Sequence, residues 1–149
     1  DLSPANLEDV DLSFRAQLAG YRCLYVPQAV VHHRVSATLQ RLGGRTFYLH
    51  VRNSEYVFWK NMPTLLLLAL MPLHLLYILG GLMYHALNGR GKLFLRAKRD
   101  AFRHLPTALR KRRKIQHRRR VPLRYVISIL DKDVLETARR ILSRSDIPT

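Results

Sequence analysis

The chain contains one cysteine, Cys23, which excludes an intrachain disulfide. A lone thiol is compatible with a reducing compartment. No histidine–cysteine cluster has the spacing of a structural zinc site. Acidic residues are scarce: 10 Asp and Glu stand against 26 Lys and Arg, a formal net charge of +16. The imbalance is local, because residues 90–124 hold 15 basic residues and one acid, Asp100, whereas residues 64–89 hold no formal charge at all. A basic stretch directly after an uncharged apolar one favours a surface of anionic lipid, where each nearby Lys or Arg contributes about 1 kcal/mol. Nucleic acid is the competing partner. Only Phe94 and Phe102 interleave the basic residues between Arg90 and Arg124. That is too few for stacking on single-stranded bases, so nucleic acid is not expected. The first residues lack both a basic stretch and an early apolar run, and read as the middle of a longer polypeptide.

Three segments follow: a globular part at 1–63, an apolar segment at 64–89, and a basic amphipathic tail at 90–149. In the first, Val10, Phe14 and Leu18 recur at helical spacing behind an acidic start, and Gly20 ends the pattern. A helix over Asp9–Ala19 is expected, with carboxylates in its first turn where the helix dipole favours them. Tyr21–Val26 is aromatic and aliphatic and stops at Pro27, so it reads as a short strand, with Ala29–His33 as a second. Arg45–Asn61 has a helical pattern that Pro63 ends. About 60 residues with two short strands bury little core by themselves, so this part is expected to complete a larger sheet.

Leu65–Leu87 is 23 residues without a charge. At about 1.5 Å per residue it is long enough to cross a hydrocarbon core of about 30 Å. Pro72, His74, Gly80-Gly81 and His85 interrupt it, and a re-entrant or interfacial segment bent near Pro72 or Gly80-Gly81 competes with a simple span. The tail carries the dense basic clusters Arg110–Lys114 and Arg118–Arg120, then an apolar Val121–Leu130, then a short terminal helix over Val134–Leu142.

Three groups can carry chemistry. Glu8, Asp9 and Asp11 place three carboxylates within four residues, and clustered carboxylates raise one another's pKa, which can poise one as a general base. The same acids equally suit the first turn of a helix. His32 and His33 end an apolar run and would point to opposite faces of a strand, one toward a site, or both merely packed at a strand end. Arg52 can meet a phosphate or pair with Glu55 three residues on.

Residues 8–38 resemble the end of the catalytic domain in family 2 glycosyltransferases. The likeness is greatest to the bacterial rhamnosyltransferase-like branch. Its elements occur in order: Glu8-Asp9, Asp11-Leu12, Arg15, Gly20-Tyr21, a strand, Val26-Pro27, then His33 before Ser36-Ala37-Thr38. Arg52-Asn53 through Lys60-Asn61-Met62-Pro63 resembles the helix that follows, and the basic clusters look like the tails of that branch. The resemblance is specific over residues 8–63 and loose beyond.

It implies an α/β remnant, the C-terminal end of a GT-A Rossmann-like domain, followed by a mostly α membrane-associated basic tail. It implies Asp9 as the catalytic base, with Glu8 and Asp11 supporting the base or touching the acceptor. His33 would help hold a divalent metal, Mg or Mn, on the donor diphosphate. The implied partners are a nucleotide-sugar donor, a lipid-linked or glycan acceptor, and anionic membrane lipids at the cytoplasmic face of a bacterial inner membrane. The family's nucleotide-binding half would lie upstream, so the chain alone is expected to be inactive. The competing reading is a non-enzymatic basic membrane-anchored module that binds anionic lipid or nucleic acid.

Overall fold

The computed structural model describes residues 7–30 and 44–130. Six helices run through them: α1 (Glu8–Leu18), α2 (Gly44–Asn61), α3 (Thr64–Leu87), α4 (Gly91–Arg103), α5 (Leu105–His117) and α6 (Leu123–Ile129). The described residues contain no strand, which corrects the expected α/β remnant: the fold is mostly α. The reason lies in Tyr21–Val26. A strand is defined by a hydrogen-bonded neighbour, and none reaches this segment. Its Leu24 and Tyr25 are 82% and 89% exposed. Of the expected second strand, Ala29 and Val30 are irregular chain, and residues 31–33 lie outside the described residues, as do the Ser36-Ala37-Thr38 turn and the terminal helix expected at Val134–Leu142.

α2 is the central element, and α3 folds back along it. Phe47 meets His85 edge-on at 4.6 Å, and Phe58 stacks on His74 at 4.0 Å. α4 then returns on the same side. Its Phe94 and Ala97 bury against Val51, with Phe47, Tyr48, Ile78 and Leu82 around them. The return is sharp because Gly89, at φ +70°, adopts a left-handed conformation that side chains resist. Gly81 lets the helices close, since a Cβ there would stand 3.1 Å from the Phe94 ring. α3 is one continuous helix through Pro72 and Gly80-Gly81, so the chain does not turn back on itself within it.

The α4–α5 boundary falls at His104, with Pro106 in the first turn of α5 where its missing N–H costs nothing. α5 covers the C-terminus of α2. Arg112 donates to the carbonyls of Trp59 and Met62, and to Thr64 Oγ1 at 2.8 Å. Gln116 Nε2 donates to the Asn61 carbonyl at 2.7 Å. These bonds satisfy carbonyls that a helix end leaves without partners. α1 is held at both ends: Asp11 bonds α2, the Leu18 carbonyl accepts from Arg120 N at 2.9 Å, and Gln17 accepts from Tyr125 of α6 at 3.2 Å.

Candidate functional site

The acidic motif lies on the first turns of α1, and its members part company. Glu8 and Asp9 are exposed, whereas Asp11 is 4% exposed. Asp9 Oδ1 accepts the Val10 backbone N–H at 2.8 Å, and its carboxylate otherwise faces solvent. Asp11 takes Lys60 Nζ at 2.8 Å and Asn61 Nδ2 at 2.7 Å on one oxygen, and Arg15 Nε at 3.0 Å on the other. Burial alone would raise its pKa. The hydrogen bonds from Lys60 and Asn61, with the charges of Lys60 and Arg15, outweigh burial and hold the carboxyl below its usual value. Asp11 therefore pins α1 to the C-terminal turn of α2 while Asp9, two residues earlier, projects away. His33 lies outside the described residues.

A second charged cluster was not legible in the sequence. Glu55 of α2 is 1% exposed. It pairs with Lys98 of α4, accepts from Trp59 Nε1 at 3.0 Å, and meets His74 Nε2 of α3 at 3.0 Å. Burial pushes the Glu55 carboxyl up, but bonds to His74 and Lys98 prevail and hold it low. One carboxylate thus ties three helices together. The only sequence hint is His74, a polar residue on an otherwise apolar helix. Glu55 and Lys98 look like ordinary surface charges, and nothing local names a partner 43 residues away. Glu55 is committed to this cluster, and the Arg52 guanidinium lies over the rings of Tyr48 and Tyr56 at 5.8 and 5.6 Å.

Beside the Asp11 anchor lies a cavity of about 160 Å³ lined by Arg52, Tyr56, Lys60, His104, Thr107 and Ala108. Its α2 wall carries three residues spaced four apart, hence on one helix face. Its other wall is the α4–α5 junction.

α3 presents a third feature. Leu65, Leu68, Leu76, Leu79, Met83 and Leu87 are each 62–82% exposed. With Pro72 they stand three or four residues apart, which is one continuous stripe. Leu67, His74, Ile78, Gly81 and His85 occupy the opposite side, toward α2 and α4. Among the described residues, α3 is the one helix long and apolar enough to cross a membrane.

Among the described residues no three His, Cys, Asp or Glu side chains converge to hold a metal ion. These residues do not by themselves build the divalent-metal site that the resemblance implies. No protein-family model matches the chain, and neither curated proteins nor solved structures give a match.

Proposed function

We propose that this chain is the acceptor-side, membrane-docking portion of an inverting glycosyltransferase, with Asp9 as its general base. The observation that carries this reading is the division between Asp9 and Asp11. A base must reach the proton it takes, and Asp9 is exposed on a helix that the buried Asp11 fixes in place. In the reaction Asp9 accepts the proton of the acceptor hydroxyl as that oxygen bonds the anomeric carbon. The bond from that carbon to the departing nucleoside diphosphate breaks on the opposite face. Glu8, also exposed, lies beside Asp9 to meet the acceptor. Mg or Mn on the donor diphosphate, with His33 as a ligand, belongs to this proposal on the resemblance alone.

The membrane part of the proposal rests on how α3 is flanked. α2 and α4 run along one side of it, so a crossing by α3 would draw Arg52, Arg96 and Arg99 into hydrocarbon. At about 2.5–3.5 kcal/mol each, three such groups cost about 8–10 kcal/mol. With α3 in the membrane surface, its stripe of six large side chains is buried at about 1.5–3 kcal/mol each, on the order of 10 kcal/mol, while the arginines stay in water. The helix therefore lies along the inner leaflet, and the exposed Lys92, Arg96 and Arg99 of α4 meet anionic headgroups. The acceptor is accordingly a lipid-linked or membrane-proximal glycan.

The test is Asp9→Asn in the full polypeptide as the producing cell makes it, with incorporation of labelled sugar from nucleotide-sugar donors into the membrane fraction as the readout. Loss of a general base lowers the rate about 10²- to 10⁴-fold, with membrane association unchanged. Incorporation equal to that of the unaltered protein would instead favour the non-enzymatic module, in which the basic helices bind anionic lipid and the acidic turn is structural.

A further inference from the structure

We infer that the flank where α3 meets α4 is a seat for an acidic phospholipid, with its phosphate held by Lys92, Arg96 and Arg99 and its acyl chain laid over Leu95 and Phe102. The inference rests on the surface docking of α3 proposed above and not on sugar transfer. Neighbouring contacts place the flank. Lys98 Nζ lies 5.2 Å from the centre of the Tyr77 ring, and a Cβ on Gly81 would stand 3.1 Å from the Phe94 ring, so this side of α4 faces α3. Asp100 turns the other way and accepts from Tyr48 of α2 at 2.9 Å. Leu95 and Phe102 stand three residues before Lys98 and four after it, on the same helix face. Both are therefore on the α3 side, and both are exposed. Tyr77 and Tyr84, seven residues apart on α3 and also exposed, border them.

The next face of α4 is cationic. Lys92, Arg96, Arg99 and Arg103 follow one another at spacings of four, three and four, and all are exposed. Asp100, the one acid of α4, pairs with Arg99 at 3.3 Å and lies 3.8 Å from Arg103. The row thus sets four cations against one carboxylate. Among the described residues no acid pairs with Lys92 or Arg96, and the Arg96 guanidinium rests over the Tyr48 ring at 5.9 Å. Lys92, Leu95, Arg96 and Arg99 line an open hollow of about 470 Å³. Crossing from α3 to α4, the surface runs from the leucine stripe to the tyrosine pair, then to Leu95 and Phe102, then to the cations. A bilayer offers the matching order, from hydrocarbon through interface to phosphate. Free phosphate or a nucleic acid would meet the cations and leave the apolar band in water, whereas a lipid covers both at once.

The experiment sediments the full chain with vesicles of phosphatidylcholine alone, or in equal parts with phosphatidylglycerol, at one ionic strength. Lys92→Gln with Arg96→Gln removes two cations of the row. Arg113→Gln with Lys114→Gln removes the same charge from exposed positions on α5. Leu95→Gln keeps every charge. We expect phosphatidylglycerol to tighten binding of the unaltered chain. The α4 pair should cut that gain about 30-fold and leave binding to phosphatidylcholine alone unchanged. The α5 pair should cut it no more than about fivefold. Leu95→Gln should weaken binding to the mixed vesicles about tenfold. Binding to phosphatidylcholine with no gain from phosphatidylglycerol overturns the seat and leaves the surface docking of α3 standing, whereas binding to neither vesicle overturns both. Equal losses from the two charge pairs, or no loss from Leu95→Gln, would make the attraction diffuse and overturn the seat. Tighter binding to a duplex oligonucleotide, lost in the α4 pair, would overturn it by making the row a nucleic-acid surface. Thermal melts show whether each variant keeps its fold, and Leu95→Gln answers the question if the α4 pair does not.

Discussion

Taking Asp11 out of water is unfavourable, and Lys60, Asn61 and Arg15 together reverse that. Because its folded pKa lies below the unfolded value near 3.8, Asp11 adds stability at all pH above that value. The contribution is lost as pH falls from there through the folded pKa. Asp11→Asn leaves Lys60, whose side chain is 7% exposed, buried without its counter-charge. We expect a loss of about 3–5 kcal/mol, read by urea unfolding near neutral pH, and a flatter acid limb than that of the unaltered chain. An unchanged midpoint and acid limb would show that the Asp11–Lys60 pair is not what secures α1. The acidic motif was visible in the sequence, but its internal division was not. Three carboxylates in four residues look alike until a neighbour is known, and Lys60 and Asn61 lie about 50 positions away. The same holds for Glu55, whose partners sit on two other helices.

α1 and α2 begin and end within a residue of where their apolar periodicity and breakers put them. Their 3.6-residue pattern is local, so the sequence carries it whole. Tyr21–Val26 fails for the complementary reason: strand composition records a preference for a pleated surface, and the surface itself is supplied by other strands. α3 was legible as an apolar segment, and it continues as one helix through Pro72 and Gly80-Gly81. Pro72 lies on the outward stripe between Leu68 and Leu76. The stripe also predicts behaviour. Leu76→Glu with Leu79→Glu removes two leucines that are 64% and 62% exposed. Losing two buried leucines, at about 1.5–3 kcal/mol each, should lower partition into anionic vesicles by about 100-fold or more. The helical content in detergent should stay the same. Partition unaffected by both substitutions would remove α3 from the membrane contact.

At the scale of the whole molecule, the described residues form a helical bundle with one apolar flank and a basic periphery, and under the proposed membrane docking that arrangement decides how it would meet a bilayer. If α3 crosses, residues before and after it lie on opposite sides. If it lies in the surface, the acidic α1 and the basic α4 and α5 share one side, which is what a base acting on a membrane-linked acceptor requires. Cys23 is a free, exposed thiol ahead of α3, and His104 is exposed beyond it. The direct measurement compares Cys23 in the unaltered chain with a Cys23→Ser, His104→Cys variant. Each is labelled by a membrane-impermeant maleimide in sealed right-side-out and inside-out vesicles. Both positions should label in inside-out vesicles only. Labelling of the two positions from opposite sides would contradict surface docking and make α3 a true span.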